Sequence, residues 1–459
     1  MESKISRRNF LAASGALAGS ALINPMETLQ AAPLNTSSTA RAEKMKVALV
    51  GTGVRGCNMW GRDLVRRYSD QLTFVGLCDT NPGRLQVGKE MIGVDCPTFT
   101  DFEKMMKDTK PELLIVCSVD SVHHEHIVKG MELGANVLTE KPMTIDEEKI
   151  QAILDAEKRT GKNCRVTFNY RYSPHRVKML ELLQSGEIGE LTSIDFNWYL
   201  DTSHGADYFR RWHRLVEEGG SLWLHKASHH FDLLNWWIDS DPETVYALGE
   251  LDFYGKNGPF RAENCRKCSH TKDCNFFWDI TKSERLTKLY VDNEKYDGYF
   301  RDGCVFRNDV NIYDKMAATI KYKNGVQVAY SLTAYSPYEG YRIAFNGTKG
   351  RIDAWIEESK PIRDVNFDEI VVFKNFSKRE YIQIPHAAGH GGGDALLQDQ
   401  LFLPNIPDPK KQCAGSRDGA LACLVGIAAR KSIAAKAPVN IADLTTIKPQ
   451  VKKEYLRVL

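Results

Sequence analysis

The sequence predicts an α/β protein whose first folded part is a doubly wound parallel sheet. Three observations carry this. A short, largely apolar strand at Lys46–Val50 runs straight into a glycine-rich turn, Gly51-Thr52-Gly53-Val54-Arg55-Gly56. A second apolar strand, Thr73–Cys78, ends in Asp79. Two further buried strands, Leu113–Cys117 and Asn136–Leu138, continue the alternation of strand and helix that a parallel sheet needs.

The chain has 459 residues, enough for two domains with substantial cores. Hydrophobic residues make up 42% and charged residues 26%, and the formal net charge is +2. That balance supplies no global field towards nucleic acid or an anionic membrane. Beyond about residue 25, no apolar run is long enough to span a bilayer.

The first 32 residues read as a cleavable export signal. Arg7 and Arg8 precede an uncharged Ala/Gly/Leu/Ser stretch that runs to about Asn24, and the paired arginines suggest the twin-arginine type. Cleavage near Ala31 or Ala32 leaves residues 33–44 as a polar tether. Such a protein folds before export. Outside the cytoplasm it meets no soluble NADH pool, so any nicotinamide cofactor is expected to be loaded early and held tightly.

In the glycine loop each residue has a mechanical part. Gly51 makes the tight turn, Gly53 lets a diphosphate approach the backbone, and Gly56 permits close packing of helix on strand. The N–H groups of Thr52, Val54 and Arg55 then face the phosphates at a helix N-terminus. A carboxylate at Asp79, about 20 residues further on, suits the ribose hydroxyls and repels a 2′-phosphate. A Rossmann domain over residues 45–168 is therefore expected, with NAD favoured over NADP.

Past the fourth strand lies Thr139-Glu140-Lys141-Pro142, and Lys141 there sits at the crevice where parallel sheets bind ligands. Later come Asn169-Tyr170-Arg171-Tyr172-Ser173-Pro174, Gly219-Gly220-Ser221 and His225-Lys226-Ala227-Ser228-His229-His230-Phe231-Asp232. In order, these segments resemble the glucose–fructose oxidoreductase / inositol dehydrogenase / MocA family. Gly347-Thr348-Lys349-Gly350 and Ser416-Arg417-Asp418-Gly419 extend the likeness to about Leu444.

The resemblance implies a second, α+β domain over 169–459, with a large open, mostly antiparallel sheet that forms the substrate cleft and an oligomer contact. It implies that Lys141 reaches the reacting hydroxyl and that His229 serves as acid/base. The family's usual Asp four residues before that histidine is His225 here, so the proton relay is expected to be His–His or Lys–His. His123, after the third strand, stands where relatives place a nicotinamide-side residue.

Oxidising a secondary alcohol needs a base with a pKa near the working pH. Histidine starts there, whereas a lysine is brought there by burial or a neighbouring cation. Tyr170, Tyr208, Arg210, Arg211, Trp212 and Arg171 are candidates for lining a sugar cleft, with aromatic faces on C–H surface and guanidinium donors on hydroxyls. The expected activity is NAD-dependent oxidation of a ring hydroxyl of a sugar, glycoside or polyol by a homo-oligomer. The alternative is an NAD-dependent glycosidase working by transient oxidation, elimination, water addition and re-reduction.

Two features stand apart. Cys265-x-x-Cys268-x5-Cys274, with Cys304, falls in a polar insertion at about 255–310. Four thiols there suit a structural zinc, two disulfides or an iron–sulfur cluster. The remaining cysteines, such as Cys78, Cys117 and Cys164, lie in apolar runs and read as core. The stretch Ala388–Asp394 is too glycine-rich for regular structure, and it could bring His390 over the cleft.

Overall fold

The computed structural model describes residues 43–386 and 391–451. The signal-like segment and His390 lie outside the described residues.

The first domain is a six-stranded parallel sheet built from β1 (Met45–Val50), β2 (Leu72–Cys78), β3 (Thr98–Phe99), β4 (Leu113–Val116), β5 (Asn136–Thr139) and β6 (Cys164–Val166). Their spatial order is β3-β2-β1-β4-β5-β6, the doubly wound order with its switch point between β1 and β4. Every residue of β4 is buried. Helices cover both faces, which is why the strand reads as a continuous apolar run. Helix starts are set locally. Asn81 accepts from the Arg84 N–H with Pro82 at the first helical position, and Asp146 accepts from the Lys149 N–H.

The second domain is a nine-stranded sheet. Its strands are β7 (Leu191–Asp201), β8 (Pro242–Glu250), β9 (Lys315–Tyr322), β10 (Gln327–Ser336), β11 (Glu339–Gly347), β12 (Gly350–Ser359), β13 (Phe367–Lys374), β14 (Arg379–Pro385) and β15 (Val439–Asn440). The order is β14-β13-β12-β11-β7-β10-β9-β8-β15, and within it only β7 and β10 pair in parallel. Burial alternates strictly along β9, as a sheet with one covered face requires. The helices Ala227–Ile238 and Ser416–Ala435 pack on each other, and the second also packs on β8.

Between the hydrogen-bonded neighbours β8 and β9 the chain makes a long excursion of short helices, the insertion read from the cysteines. Ordinary packing holds its base. Asp314 accepts from the N–H groups of Asp252, Phe253 and Tyr254. The buried Tyr254 ring stacks on Phe209 at 4.1 Å. Arg266 pairs with the fully buried Asp302.

Candidate active site

The glycine loop is shaped for a close backbone approach. Gly51 has φ +94°, and a Cβ there would lie 2.4 Å from the Cys117 carbonyl oxygen. At Gly56 a Cβ would lie 2.1 Å from the Gly51 carbonyl oxygen, so helix and strand are as close as that glycine allows. The Asp79 carboxylate accepts from the Thr52 N–H at 2.8 Å and the Thr52 hydroxyl at 3.0 Å. It also holds Arg84 at 3.0 Å, and Arg84 is held on its other side by Asp297 at 2.9 Å. The Arg84 guanidinium is thus already neutralised by two carboxylates, an arrangement that does not favour an added phosphate.

At the carboxyl end of β5, Glu140 accepts from Arg55 Nε and Trp60 Nε1, each at 2.6 Å. Burial opposes its ionisation, but the Arg55 guanidinium and the Trp60 N–H win and hold its pKa below the usual carboxylate value. Arg55 also reaches Asp394, which pairs with the Asn169 amide. Glu140 and Arg55 therefore brace the lysine's strand end against the second domain.

Lys141 projects from that strand end across the domain boundary, where its Nζ donates to the carbonyl of His225 at 2.8 Å. Burial lowers its pKa to about 8, against the opposing pull of the Asp120 and Glu140 carboxylates. The His225 Nδ1 lies 2.6 Å from a carboxylate oxygen of Asp120, which sits just beyond β4. Burial pushes Asp120 well above the usual carboxylate range. Burial, with His213 and Lys141 close by, pushes His225 well below the usual imidazole range. Both partners are driven towards neutrality, so one proton lies in the contact between them. The His213 ring packs edge-on against His225, with centroids 3.9 Å apart.

A second polar chain lies alongside. The Lys226 Nζ donates to the Tyr170 hydroxyl at 3.0 Å and pairs with Glu339 at 3.2 Å. Glu339 also holds His204 at 2.7 Å, and the other nitrogen of that ring meets the Tyr208 hydroxyl at 2.8 Å. His229, 5% exposed, stacks on the Tyr170 ring at 4.2 Å. Lys141 and His225 meet directly, and Tyr208 and Trp212 pack against His225 at ring distances of 5.4 and 5.5 Å. Arg211, partly buried, pairs with Asp207 at 2.8 Å.

Two family-model matches bear on what this crevice is. The model described as "Oxidoreductase family, NAD-binding Rossmann fold" matches residues 45–168, and "Oxidoreductase family, C-terminal alpha/beta domain" matches 180–441. The chain belongs to the Gfo/Idh/MocA oxidoreductase family. A Bacillus subtilis protein named as an oxidoreductase, YteT, is 36% identical over 87% of this chain and 98% of its own length. The inositol 2-dehydrogenase/D-chiro-inositol 3-dehydrogenase of Lactiplantibacillus plantarum is 24% identical over 44% of this chain and 55% of its own. The structure of levoglucosan dehydrogenase with NADH and levoglucosan superposes with a TM-score of 0.62, at 18% identity, over 87% of this chain and all of that one. At that identity the likeness is one of fold.

Within this Gfo/Idh/MocA chain several residues serve otherwise than the sequence led us to expect. Arg171, expected at the sugar, is 2% exposed; its guanidinium is taken by Asp232 at 2.5 and 2.8 Å, by Asp418 and by the Lys411 carbonyl. It pins the helix Ala227–Ile238 from behind. Arg210 likewise points into the excursion, towards Cys265 at 3.2 Å and the Phe276 carbonyl. His123 is 1% exposed, with its ring nitrogens at the carbonyls of Pro142 (2.9 Å) and Ser118 (3.1 Å). It props the Lys141–Pro142 turn.

The expected zinc is not supported either. Among the described residues no group of three or more ligand side chains is placed to hold a metal ion, and all eleven cysteines are free thiols. Cys265, Cys268, Cys274 and Cys304 instead line a cavity of about 10 Å³ with Phe260 and Phe276, and neither disulfide forms.

Asp120 is the residue that sequence reasoning missed. Its one signal was position: it follows a buried strand at the crevice end of the sheet, the same logic that singled out Lys141. Glu339, His204 and His213 carried no comparable mark.

Proposed function

We propose that this oxidoreductase is an NAD-dependent dehydrogenase that oxidises a ring hydroxyl of a sugar, glycoside or polyol and keeps its cofactor bound through repeated turnovers. One observation carries the reading: a strand-end amine, lowered by burial to about pKa 8, stands beside an Asp120–His225 pair at the boundary between the nucleotide domain and the sheet domain.

When bound, NAD supplies the two-electron acceptor. The chain's own residues manage the proton. Lys141 is near half-neutral at mildly alkaline pH and is ready to accept a hydroxyl proton. The shared proton between Asp120 and His225 lets charge at the site be adjusted without opening it to solvent. Lys226, held by Tyr170 and Glu339, keeps a fixed positive charge on the other side; its raised pKa comes from Glu339 overcoming burial. Trp212 offers aromatic surface to a ring substrate, and Arg211 offers donors. His229, stacked on Tyr170, is the further acid/base candidate.

Support for a polyol-type substrate comes from the inositol dehydrogenase relative and the levoglucosan dehydrogenase fold. Support for export and for a homo-oligomer comes from the Arg7-Arg8 segment and the large open sheet respectively.

The test is to purify the protein, release and identify its nucleotide, and follow nicotinamide absorbance with inositols, hexoses and glycosides. Reduction of bound NAD by one of them is the expected result. Release of an aglycone with no net change in the cofactor would instead establish the redox-neutral glycosidase. Copurified NADP, or no spectral response to any polyol, would sink the proposal.

A further inference from the structure

The excursion between β8 and β9 does not stay with its own domain. Its helix Glu284–Leu289 packs on Pro82–Ile92, the helix that follows β2 in the nucleotide domain. Leu289 and Tyr290 are buried in the same apolar cluster as Leu49 of β1 and Leu77 of β2. This segment of the second domain is therefore built into the core of the first.

It also covers the two polar features that define the nucleotide crevice. The Tyr290 hydroxyl accepts a hydrogen bond from the Val54 N–H at 3.1 Å and lies 3.3 Å from where a Cβ on Gly53 would stand. Val54 is the first residue of the helix behind the glycine loop, so its N–H is one of the donors a diphosphate uses. At the ribose end the Asn81 amide donates to the Asn293 carbonyl at 3.0 Å and to Asp297 at 2.9 Å. Asp297 also holds Arg84, the partner of Asp79.

We infer that Tyr290, Asn293 and Asp297 form an outer wall of the dinucleotide site that closes on the diphosphate and ribose and slows their release. The inference rests on the crevice being the NAD site, as proposed above. The Tyr290 phenol occupies the acceptor's place at the Val54 N–H. A diphosphate oxygen that takes over this N–H frees the phenol to turn and donate to phosphate, exchanging a neutral hydrogen bond for a charge-assisted one. The same segment then stands between nucleotide and solvent, and leaving requires Asn81 and Arg84 to part from Asp297. This gives a physical route to a retained cofactor that uses no covalent link.

The experiment uses the whole protein, loaded with NADH. Nucleotide release is followed by fluorescence after addition of excess NAD, and amide hydrogen exchange of residues 284–297 is compared with and without NADH. Release is expected to be at least tenfold faster in Tyr290→Ala than in wild type, with Tyr290→Phe and Asp297→Asn also faster. Exchange across 284–297 is expected to slow when NADH binds. The two conservative variants keep the test decisive should Tyr290→Ala fail to fold. Wild-type release rates in Tyr290→Phe and Asp297→Asn, or exchange at 284–297 indifferent to NADH, overturn the wall while leaving the NAD site standing. A wild-type protein that binds no nicotinamide nucleotide overturns both.

Discussion

His225 Nδ1 and Asp120 Oδ2 stand 2.6 Å apart although 105 residues and a domain boundary separate them in the chain. The position one helical turn before His229 carries a histidine, and the carboxylate that meets it comes from the other domain.

Removing the amine at the centre of this arrangement should stop chemistry before it stops binding. Lys141→Ala is expected to lower kcat by about 10²–10⁴-fold, the range for losing a positioned acid/base group. Its NADH content should match wild type. A loss of bound nucleotide equal to the loss of rate would show Lys141 to be a cofactor ligand only.

The pH profile follows from the same side chain. Lys141, proposed as the base, can take a proton only when neutral, and its pKa is lowered to about 8. The kcat/KM for oxidation should therefore rise with pH and level off above about 8. Burial holds Asp120 towards its neutral form, which an amide mimics, so in Asp120→Asn the inflection should stay close to its wild-type position. A move to lower pH would show that Asp120 is ionised beside the lysine.

Arg171 should prove structural. Its ion pair with Asp232 has side chains only 3% and 1% exposed, and breaking such a pair from one side costs about 3–5 kcal/mol. Arg171→Ala is expected to lose about that much in urea unfolding. A stable variant with a raised KM would restore Arg171 to the substrate.

Cofactor choice should turn on Asp79. In Asp79→Ala the ribose loses its acceptor and Arg84 loses one of its two carboxylates. The ratio of NAD to NADP affinity should fall at least tenfold, about 1.4 kcal/mol, as titration of each nucleotide would show. An unchanged ratio places the ribose elsewhere.

Export is read from Arg7 and Arg8. Replacing both with lysine should leave the precursor in the cytoplasm, measured by cell fractionation, if the twin-arginine route is used. Undiminished export removes that reading.

Much of the nucleotide half was legible because its signals are local. Strand, glycine loop and Asp79 lie within one unit of the chain, and Lys141 comes at a strand end in a short motif. The neighbourhood of Lys141 was only half legible. His225 stood out by its segment, but Asp120 acts through a contact that no local pattern announces. Arg171 misled for the same reason, since its motif does not reveal that Asp232 waits 61 residues further on. The four cysteines have the spacing of a ligand set, and spacing alone does not say whether thiols converge on an ion or line a cavity.

Glu250 and Lys315, the last residue of β8 and the first of β9, face each other across the sheet. Everything between them departs from and rejoins one point on the scaffold. A lineage could gain, trim or exchange that stretch without shifting the register of a single strand. On the inference that this stretch walls the nucleotide, the lifetime of the bound cofactor is a trait inherited separately from the architecture itself.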